Sequence, residues 1–510
     1  MYATLMSGER TLSGDMLEQR VRRVAGGLTA LDLVAGDVVG ILMRNDFPVF
    51  EVALAAERIG VVAVPLNWHG TPEEIGYILA DSQARALFAH TDLLRMAAAA
   101  VPVHCRVVEV IPPPEVQLAY RLQQSSCTPT PGGLEYEAWV GASVESSSAP
   151  MPPPFRLLYT SGTTGRPKGV KRAGAAPELA ERMGRRVREA HGLEQRPIRA
   201  VMTGPLYHSA PNVYALNCVR YGELLVLQPK FDAGGLLDLV EAHRLSHMHA
   251  VPTMFSRLLD LPQERRARFD ISSLVAVVHG ATMCPRDVKQ AMIEWWGPVL
   301  LEYYAATELG IVTACTSRQW LDRLGTVGTA PEGVQISVVD DHGEPVPAGE
   351  KGEIFIRSDA AALLDYHNRP EAMQELQRSD WITLGDIGYM DADGFLWICD
   401  RKKDMVISGG VNIFPAELEQ VALQIPQVRD CVAFGIPDRD LGEALALFVE
   451  PQEGVTLDTD ALRDAIRQRL GRLRAPKVVK SLPHLPREDS GKIARRKLKQ
   501  QYLESIAAEA

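Results

Sequence analysis

Between Asp37 and Ala89 strand and helix signals alternate without a break. Asp37 to Met43 is a short β-rich run, Phe47 to Ile59 spaces its apolar residues as a helix does, and Val61 to Leu66 is an apolar run suited to a buried strand. Thr71-Pro72-Glu73-Glu74 then opens a second helix, with a capping-box arrangement and proline at the first helical position. Ala84 to Ala89 follows as the next strand. Such alternation favours an α/β layered core.

A chain of 510 residues, 46% hydrophobic and 23% charged, is too apolar for disorder and too charged for a membrane bundle. Its length predicts more than one domain. Lys and Arg number 54 against 64 Asp and Glu, and the balance of −10 argues against a nucleic-acid partner. The 7 cysteines contain no Cys-x-x-Cys pair, so neither a disulfide framework nor a zinc ribbon is indicated. The N-terminal stretch lacks the pattern of a secretory signal, and no apolar run is long enough to span a bilayer. The expectation is a cytoplasmic protein with no integral membrane span; a homo-oligomer stays open. Ser125 to Pro154 is a Ser/Pro/Gly-rich connection, and Val334 to Arg357 predicts short antiparallel strands with a turn at Asp341-His342-Gly343. Residues 463 to 499 hold 13 Lys and Arg against 3 acids, a local balance of +10.

After the strand Phe155 to Tyr159 comes a loop dense in glycine, hydroxyls and a cation: Thr160-Ser161-Gly162-Thr163-Thr164-Gly165-Arg166-Pro167-Lys168-Gly169. Glycines let backbone N–H groups turn toward an anion, hydroxyls add donors and Lys168 adds a point charge, so a polyphosphate is the natural ligand. The loop is not of the Walker type, because Pro167-Lys168-Gly169 stands where Gly-Lys-Ser/Thr is needed; a P-loop NTPase or kinase is disfavoured. The plain alternative is a flexible linker, and the Pro-Lys-Gly ending after a buried strand speaks against it.

The loop resembles the signature of the adenylate-forming superfamily, which includes acyl- and aryl-CoA synthetases, peptide-synthetase adenylation domains and firefly-type luciferases. Pro205-Leu206-Tyr207-His208, Glu302-Tyr303-Tyr304-Ala305-Ala306-Thr307-Glu308, Leu384-Gly385-Asp386, Asp400-Arg401-Lys402-Lys403-Asp404, Ser408-Gly409-Gly410-Val411-Asn412 and Ser490-Gly491-Lys492 match further motifs in the family's order. The resemblance implies that a carboxylate attacks the α-phosphate of ATP, pyrophosphate leaves, and a thiol then displaces AMP from the acyl-adenylate. Both partners of the first step are anions, so charge neutralisation and in-line positioning must carry catalysis. By this resemblance Thr160, Ser161, Gly162, Thr163, Thr164, Gly165 and Lys168 bind ATP. Glu308 binds Mg²⁺ and Thr307 donates to phosphate. Tyr304 stacks on adenine, Gly280 and Ala281 line the cleft, and Asp386 and Arg401 hold the ribose. His208 guards the acyl channel, and Lys492 bridges the carboxylate and the α-phosphate. Taken singly, Thr307 and Glu308 read as a helix cap pair, Tyr304 as a core tyrosine, His208 as a structural histidine and Lys492 as a surface lysine; the ordered motifs outweigh those readings. His243, His247 and His249 tempt a zinc reading, yet only the first two have helical spacing and no obvious further ligand accompanies them. No zinc, flavin or haem is expected.

The family's architecture implies a large N-terminal domain, residues 1 to 400, of layered α/β sheets plus a small β-barrel section. A small mobile α+β domain, 401 to 510, follows a hinge at Lys402-Lys403, with Lys403 absorbing the change. One arrangement would bring Lys492 over ATP; the other would bring Ser408, Gly409 and Gly410 to line a tunnel for the thiol. The chain ends at Ala510, 18 residues after Lys492, so a diffusible thiol, coenzyme A, is the expected acceptor. The basic stretch 463 to 499 offers a place for its phosphates, though a solvated basic face is the commoner explanation of such a run. His208, Tyr214, His279 and Ala305 are expected at the acyl pocket, where the family commonly has Gly in place of Ala305; the added methyl narrows the wall. The nearby segments carry no carboxylate and favour an apolar acid. In overall wording the chain is most similar to bacterial fatty-acyl-CoA ligases, so the expectation is an acid:CoA ligase for a hydrophobic acid, first of all a fatty acid. An aryl or steroid/bile acid stays open. So do a freestanding enzyme that loads a carrier protein and a luciferase-like monooxygenase; a nonenzymatic binder is disfavoured, since Lys168, Glu308, Asp386, Arg401 and Lys492 are all present.

Overall fold

The structure, a computed structural model of the chain, describes residues 2–147, 149–160, 167–408, 411–472, 474–487 and 493–509. The predicted alternation is present: Val38–Leu42, Phe47–Arg58, Val62–Pro65, Pro72–Asp81 and Ala84–His90 follow as strand, helix, strand, helix, strand. Thr71 makes the capping box, its hydroxyl accepting from the Glu74 N–H at 3.2 Å while the Glu74 carboxylate accepts from the Thr71 N–H at 3.0 Å. Every residue of Val38–Leu42 is buried, as a strand covered on both faces requires. These strands join Arg106–Val110 and Leu134–Glu135 in a parallel five-stranded sheet.

A second sheet has eight strands in the order Gly310–Thr316, Leu300–Ala306, Ala276–His279, His247–Ala250, Arg199–Met202, Leu224–Leu227, Thr4–Ser7, Arg10–Leu12. It is parallel except where the two outermost strands turn back on their neighbours. One apolar core joins the sheets: Val39, Phe88 and Val108 of the first and Leu5, Met202 and Val278 of the second share it with helices Gly14–Ala30, Phe47–Arg58 and Ser209–Tyr221. On the opposite face of the larger sheet Met248, Val277 and Leu300 pack against helices Ala233–His243, Pro252–Leu259 and Arg286–Trp296. Helices Pro72–Asp81 and Thr91–Ala97 cover the opposite face of the smaller one. Helix and sheet layers therefore alternate, and each buries what the next exposes.

The β-rich section consists of two antiparallel sheets that share one core. Phe155–Thr160, Lys168–Ala173 and Leu364–Tyr366 form the three-stranded one; Val334–Val339, Gly352–Ser358, Gln377–Arg378, Trp381–Met390 and Leu396–Arg401 form the five-stranded one. The turn predicted at Asp341-His342-Gly343 is held by the Asp340 carboxylate, which accepts from the His342 and Glu344 N–H groups at 2.8 and 2.9 Å. From Val406 onward another sheet carries its own apolar clusters, with Pro415–Leu423 and Thr459–Leu470 on one face and Arg495–Glu509 on the other. Among the described residues no helix is long and apolar enough to cross a membrane.

Some charge is buried inside this framework. Lys289 on Arg286–Trp296 pairs with Glu302 on Leu300–Ala306, beside the Trp320 ring at 4.9 Å. Burial pushes the Glu302 carboxyl up, and Lys289 opposes that push. Lys289→Ala would leave Glu302 buried and unpaired, and should cost about 3–5 kcal/mol in a denaturant melt.

Histidines are buried too: burial pushes His191 down to about 3, His247 and His249 to about 4, and His279 well below the usual imidazole range. The unfolded chain therefore takes up protons first as pH falls below about 6.5, and stability is lost from there downward. Moving from pH 7.5 to 5.5 should remove about 1.4 kcal/mol per such histidine, and His191→Phe should flatten the profile by about one such step. Equal stability at both pH values would contradict the burial account.

Candidate active site

In a parallel α/β sheet the crevice forms beyond the C-terminal ends of the strands. Here that edge of the eight-stranded sheet delivers the expected residues: Pro205 to His208 after Arg199–Met202, Gly280-Ala281 after Ala276–His279, and Thr307-Glu308 after Leu300–Ala306. His208 is the cap residue of helix Ser209–Tyr221 and its carbonyl accepts from the Asn212 N–H at 3.0 Å. The loop before it is pinned from the other sheet: buried Asn45 donates to the Gly204 carbonyl at 2.9 Å and accepts from the Leu206 N–H at 3.0 Å.

The acidic turn is clamped by the three-stranded sheet. Arg172 donates through Nη2 to the carbonyls of Thr307 and Glu308, both at 3.0 Å. The Tyr366 hydroxyl donates to Glu308 Oε1 at 2.9 Å, and Lys168 Nζ stands 5.7 Å from the Tyr366 ring centre. Thr160 and Lys168 are paired across the ladder. Ser161, Gly162, Thr163, Thr164 and Gly165 lie outside the described residues. Lys168, Glu308 and Thr307 are thus brought to one place from stretches far apart in sequence. Glu308 is half-buried and makes no ion pair among the described residues, a donor arrangement that fits a hard divalent cation.

A second group converges beside it. The Tyr304 hydroxyl donates to Asp386 Oδ2, and Arg401 Nε lies 3.3 Å from Asp386 Oδ1. Burial pushes the Asp386 carboxyl up while Arg401 and Tyr304 pull it back, so it is a mostly buried acceptor with one exposed cation at its flank. Gly385 carries φ +72° in the approach to it.

Around the acyl end the structure separates residues that the sequence grouped. Paired residues of neighbouring strands share a face, so Val278, Leu301, Tyr303 and Ala305 face helix Ser209–Tyr221, while His279 and Glu302 face the other way. His279 packs on Phe255 at 5.3 Å, across the sheet from Tyr214. The expectation that His279 and Tyr214 line one pocket is corrected by this pleat: His279 supports the sheet from behind. Gly280 is required where it stands, because a Cβ there would lie 2.9 Å from the Tyr303 carbonyl oxygen and 3.0 Å from its ring. Ala281 has φ +71°, a strained conformation of the kind that clusters at functional sites.

Arg401 is followed by the single turn Lys402–Asp404 that leads into the last sheet. Lys402 Nζ pairs with Glu353 Oε2 at 2.8 Å; burial and neighbouring Arg401 push the Lys403 ammonium down. Ser408 is buried on Val406–Ser408, and Gly409 and Gly410 lie outside the described residues. So does Lys492, whose flanks are joined by the bridge between Arg487 and Ile493, while Arg487 pairs with Asp430 on strand Val428–Asp438. The three histidines weighed for zinc go separate ways: Arg199 donates to the His243 carbonyl, His247 bonds the Ser246 hydroxyl and the Gly192 carbonyl, and His249 bonds the Tyr303 hydroxyl.

Sequence reasoning missed Arg172, Tyr366 and Asn45. Arg172 follows Lys171 and reads as one more surface cation; its signal is only its place on the strand leaving the phosphate loop.

Residues 2–364 match the family model described as AMP-binding enzyme, and residues 417–492 match that of the AMP-binding enzyme C-terminal domain. The chain is 32% identical to a feruloyl-CoA synthase from an Amycolatopsis species, over 97% of this chain and 95% of that one. It is 31% identical to the long-chain-fatty-acid–CoA ligase FadD13 of Mycobacterium tuberculosis, over 95% and 92%. The solved structure of the amide bond synthetase McbA from Marinactinospora thermotolerans matches with a TM-score of 0.84 at 25% identity, over 98% of this chain and 97% of that one. The chain therefore belongs to the AMP-binding, adenylate-forming family, as an AMP-forming acid:CoA ligase.

Proposed function

We propose that the enzyme activates a hydrophobic carboxylic acid as its acyl-adenylate at the edge of the eight-stranded sheet and passes the acyl group to coenzyme A. The observation that carries this reading is the convergence of Lys168, Thr307 and Glu308 with Tyr304, Asp386 and Arg401, held by Arg172 and Tyr366. The Asp386 carboxylate presents oxygens suited to two vicinal ribose hydroxyls, and Arg401 adds a donor at the same place. Tyr304, anchored through its hydroxyl, offers a fixed ring for the base. Glu308 would hold Mg²⁺, which supplies charge neutralisation at the phosphates when bound.

In the first half-reaction the acid's carboxylate oxygen attacks the α-phosphorus and pyrophosphate departs; the thiolate of coenzyme A then attacks the acyl carbon and AMP departs. Lys492 serves the first step and is withdrawn for the second, the C-terminal domain turning at Lys402-Lys403. A fatty acid is the second reading for the acid. It is favoured by the wording of the sequence and by the relative named for long-chain fatty acids, whereas another relative is named for feruloyl-CoA.

Lys492→Ala should abolish adenylate formation, lowering pyrophosphate release on the order of 10² to 10³-fold, while sparing thioester formation from preformed acyl-adenylate. Equal loss of both half-reactions would refute domain alternation. AMP release that never needs coenzyme A and consumes oxygen would favour the luciferase-like alternative; acylation of a carrier protein alone would favour a loading enzyme. Tyr366→Phe removes the hydroxyl that orients Glu308 and should raise the Mg²⁺ concentration for half-maximal adenylation about tenfold, with the KM for the acid unchanged. An unaltered Mg²⁺ titration would show that Tyr366 only packs.

A further inference from the structure

Beside the Gly280-Ala281 turn lie four aromatic rings, of which only Tyr214 was expected at the acyl pocket. His191, at the end of helix Pro177–Ala190, is 5.5 Å from Tyr214 and 5.3 Å from Tyr303, centre to centre; His249 is 5.5 Å from Tyr214 and 6.2 Å from Tyr303. Helices Pro177–Ala190 and Ser209–Tyr221 and strands His247–Ala250 and Leu300–Ala306 each contribute one ring, so the layer is cross-tied by separate elements. His249 Nε2 and the Tyr303 hydroxyl are bonded at 3.0 Å, and the Tyr214 hydroxyl has the Cys218 thiol as its neighbour. Exposures of 3, 0, 1 and 6% for His191, Tyr214, His249 and Tyr303 show that the layer has no gap to solvent.

The layer lies close under the site. The Tyr303 ring reaches to within 3.0 Å of where a Cβ on Gly280 would be, and Ala305 and Ala210 pack against the same core above it. Ala305 and Tyr303 are two residues apart on one strand, so the layer begins roughly 7 Å below the rim. The other face of the sheet offers no bypass, since His279 and Phe255 fill it with Trp296 behind.

We propose that His191, Tyr214, His249 and Tyr303 form the closed floor of the acyl cleft and restrict the enzyme to short, ring-bearing carboxylic acids, excluding long alkyl tails. This rests on the acid-activating reading above. A planar ring descending from the activated carboxylate meets aromatic faces and edges on which it can pack, whereas an extended tail would have to displace close-packed rings from a fully buried layer. The floor is also uncharged: burial holds His191 and His249 neutral near pH 7, and no carboxylate lies among the four. A second carboxylate or an ammonium on the acid would find no counter-charge there.

The test measures AMP release and CoA-thioester formation by the intact enzyme with 3-phenylpropenoic, hexanoic, dodecanoic and hexadecanoic acids. For wild type, kcat/KM for 3-phenylpropenoic acid should exceed that for the two long acids on the order of 100-fold. Tyr214→Ala should raise kcat/KM for dodecanoic acid about tenfold with the KM for ATP unchanged; Tyr214→Leu, which keeps most of the packing, should shift the profile the same way by less. Wild-type use of hexadecanoic acid as good as that of 3-phenylpropenoic acid would overturn the floor while leaving the ligase reading intact. So would an unchanged chain-length profile in either variant with normal ATP binding. Absence of AMP from every acid would overturn both.

Discussion

The guanidinium of Arg172 ties the hairpin of Phe155–Thr160 and Lys168–Ala173 to the acidic turn. It leaves one β-sheet and donates to two successive carbonyls of another, those of Thr307 and Glu308. Among the described residues neither carbonyl has a backbone partner, and an acceptor left unsatisfied away from water costs about 1–3 kcal/mol. Satisfying both from one guanidinium nitrogen holds the acidic turn against the strand that begins at Lys168 and so sets the spacing between Lys168 and Glu308, which the proposed reading assigns to the polyphosphate and its metal. Burial and neighbouring Arg156 weaken the hold of Arg172 on its proton, and the nearby Glu308 charge opposes that.

Positioning two anions for reaction requires that positive charge be concentrated without collapsing onto nearby acids. The described part of the site manages this by giving each acid a prior engagement: Asp386 with Tyr304 and Arg401, Glu308 with Tyr366, Glu353 with Lys402. Of the three, Glu308 is engaged through Oε1 alone, whereas both oxygens of Asp386 and of Glu353 are already paired. The same economy appears in the core, where Glu302 and Lys289 neutralise each other under the strand that carries Tyr304.

How much of this could be seen in the sequence depends on whether a feature is local. The first sheet could be read residue by residue, because Val38–Leu42 and the Thr71 capping box are decided by neighbours in the chain. Motif residues such as Asp386 and Tyr304 could be named, yet their mutual hydrogen bond spans 82 positions and no local pattern announces it. Arg172 and Tyr366 escaped notice for the same reason: their roles arise from strand pairing between Lys168–Ala173 and Leu364–Tyr366. The sequence groups His279 with Tyr214 because the resemblance places both their segments near the acyl group, whereas the pleat sends alternate residues of Ala276–His279 to opposite faces. The aromatic layer beside Gly280 draws its rings from four distant elements, so of its members only Tyr214 could be named from the sequence.

Tyr303 and Tyr304 are adjacent on one strand and point to opposite sides of it, the first toward the buried rings under Gly280 and the second toward Asp386. On the proposed reading a single peptide unit divides two recognition tasks. Substitutions on one side of the ribbon would then alter which acid fits, and those on the other would alter nucleotide affinity, with little mechanical reason for either to disturb its neighbour. A lineage built on such a strand would be free to change its acid repertoire stepwise while every intermediate kept its hold on ATP.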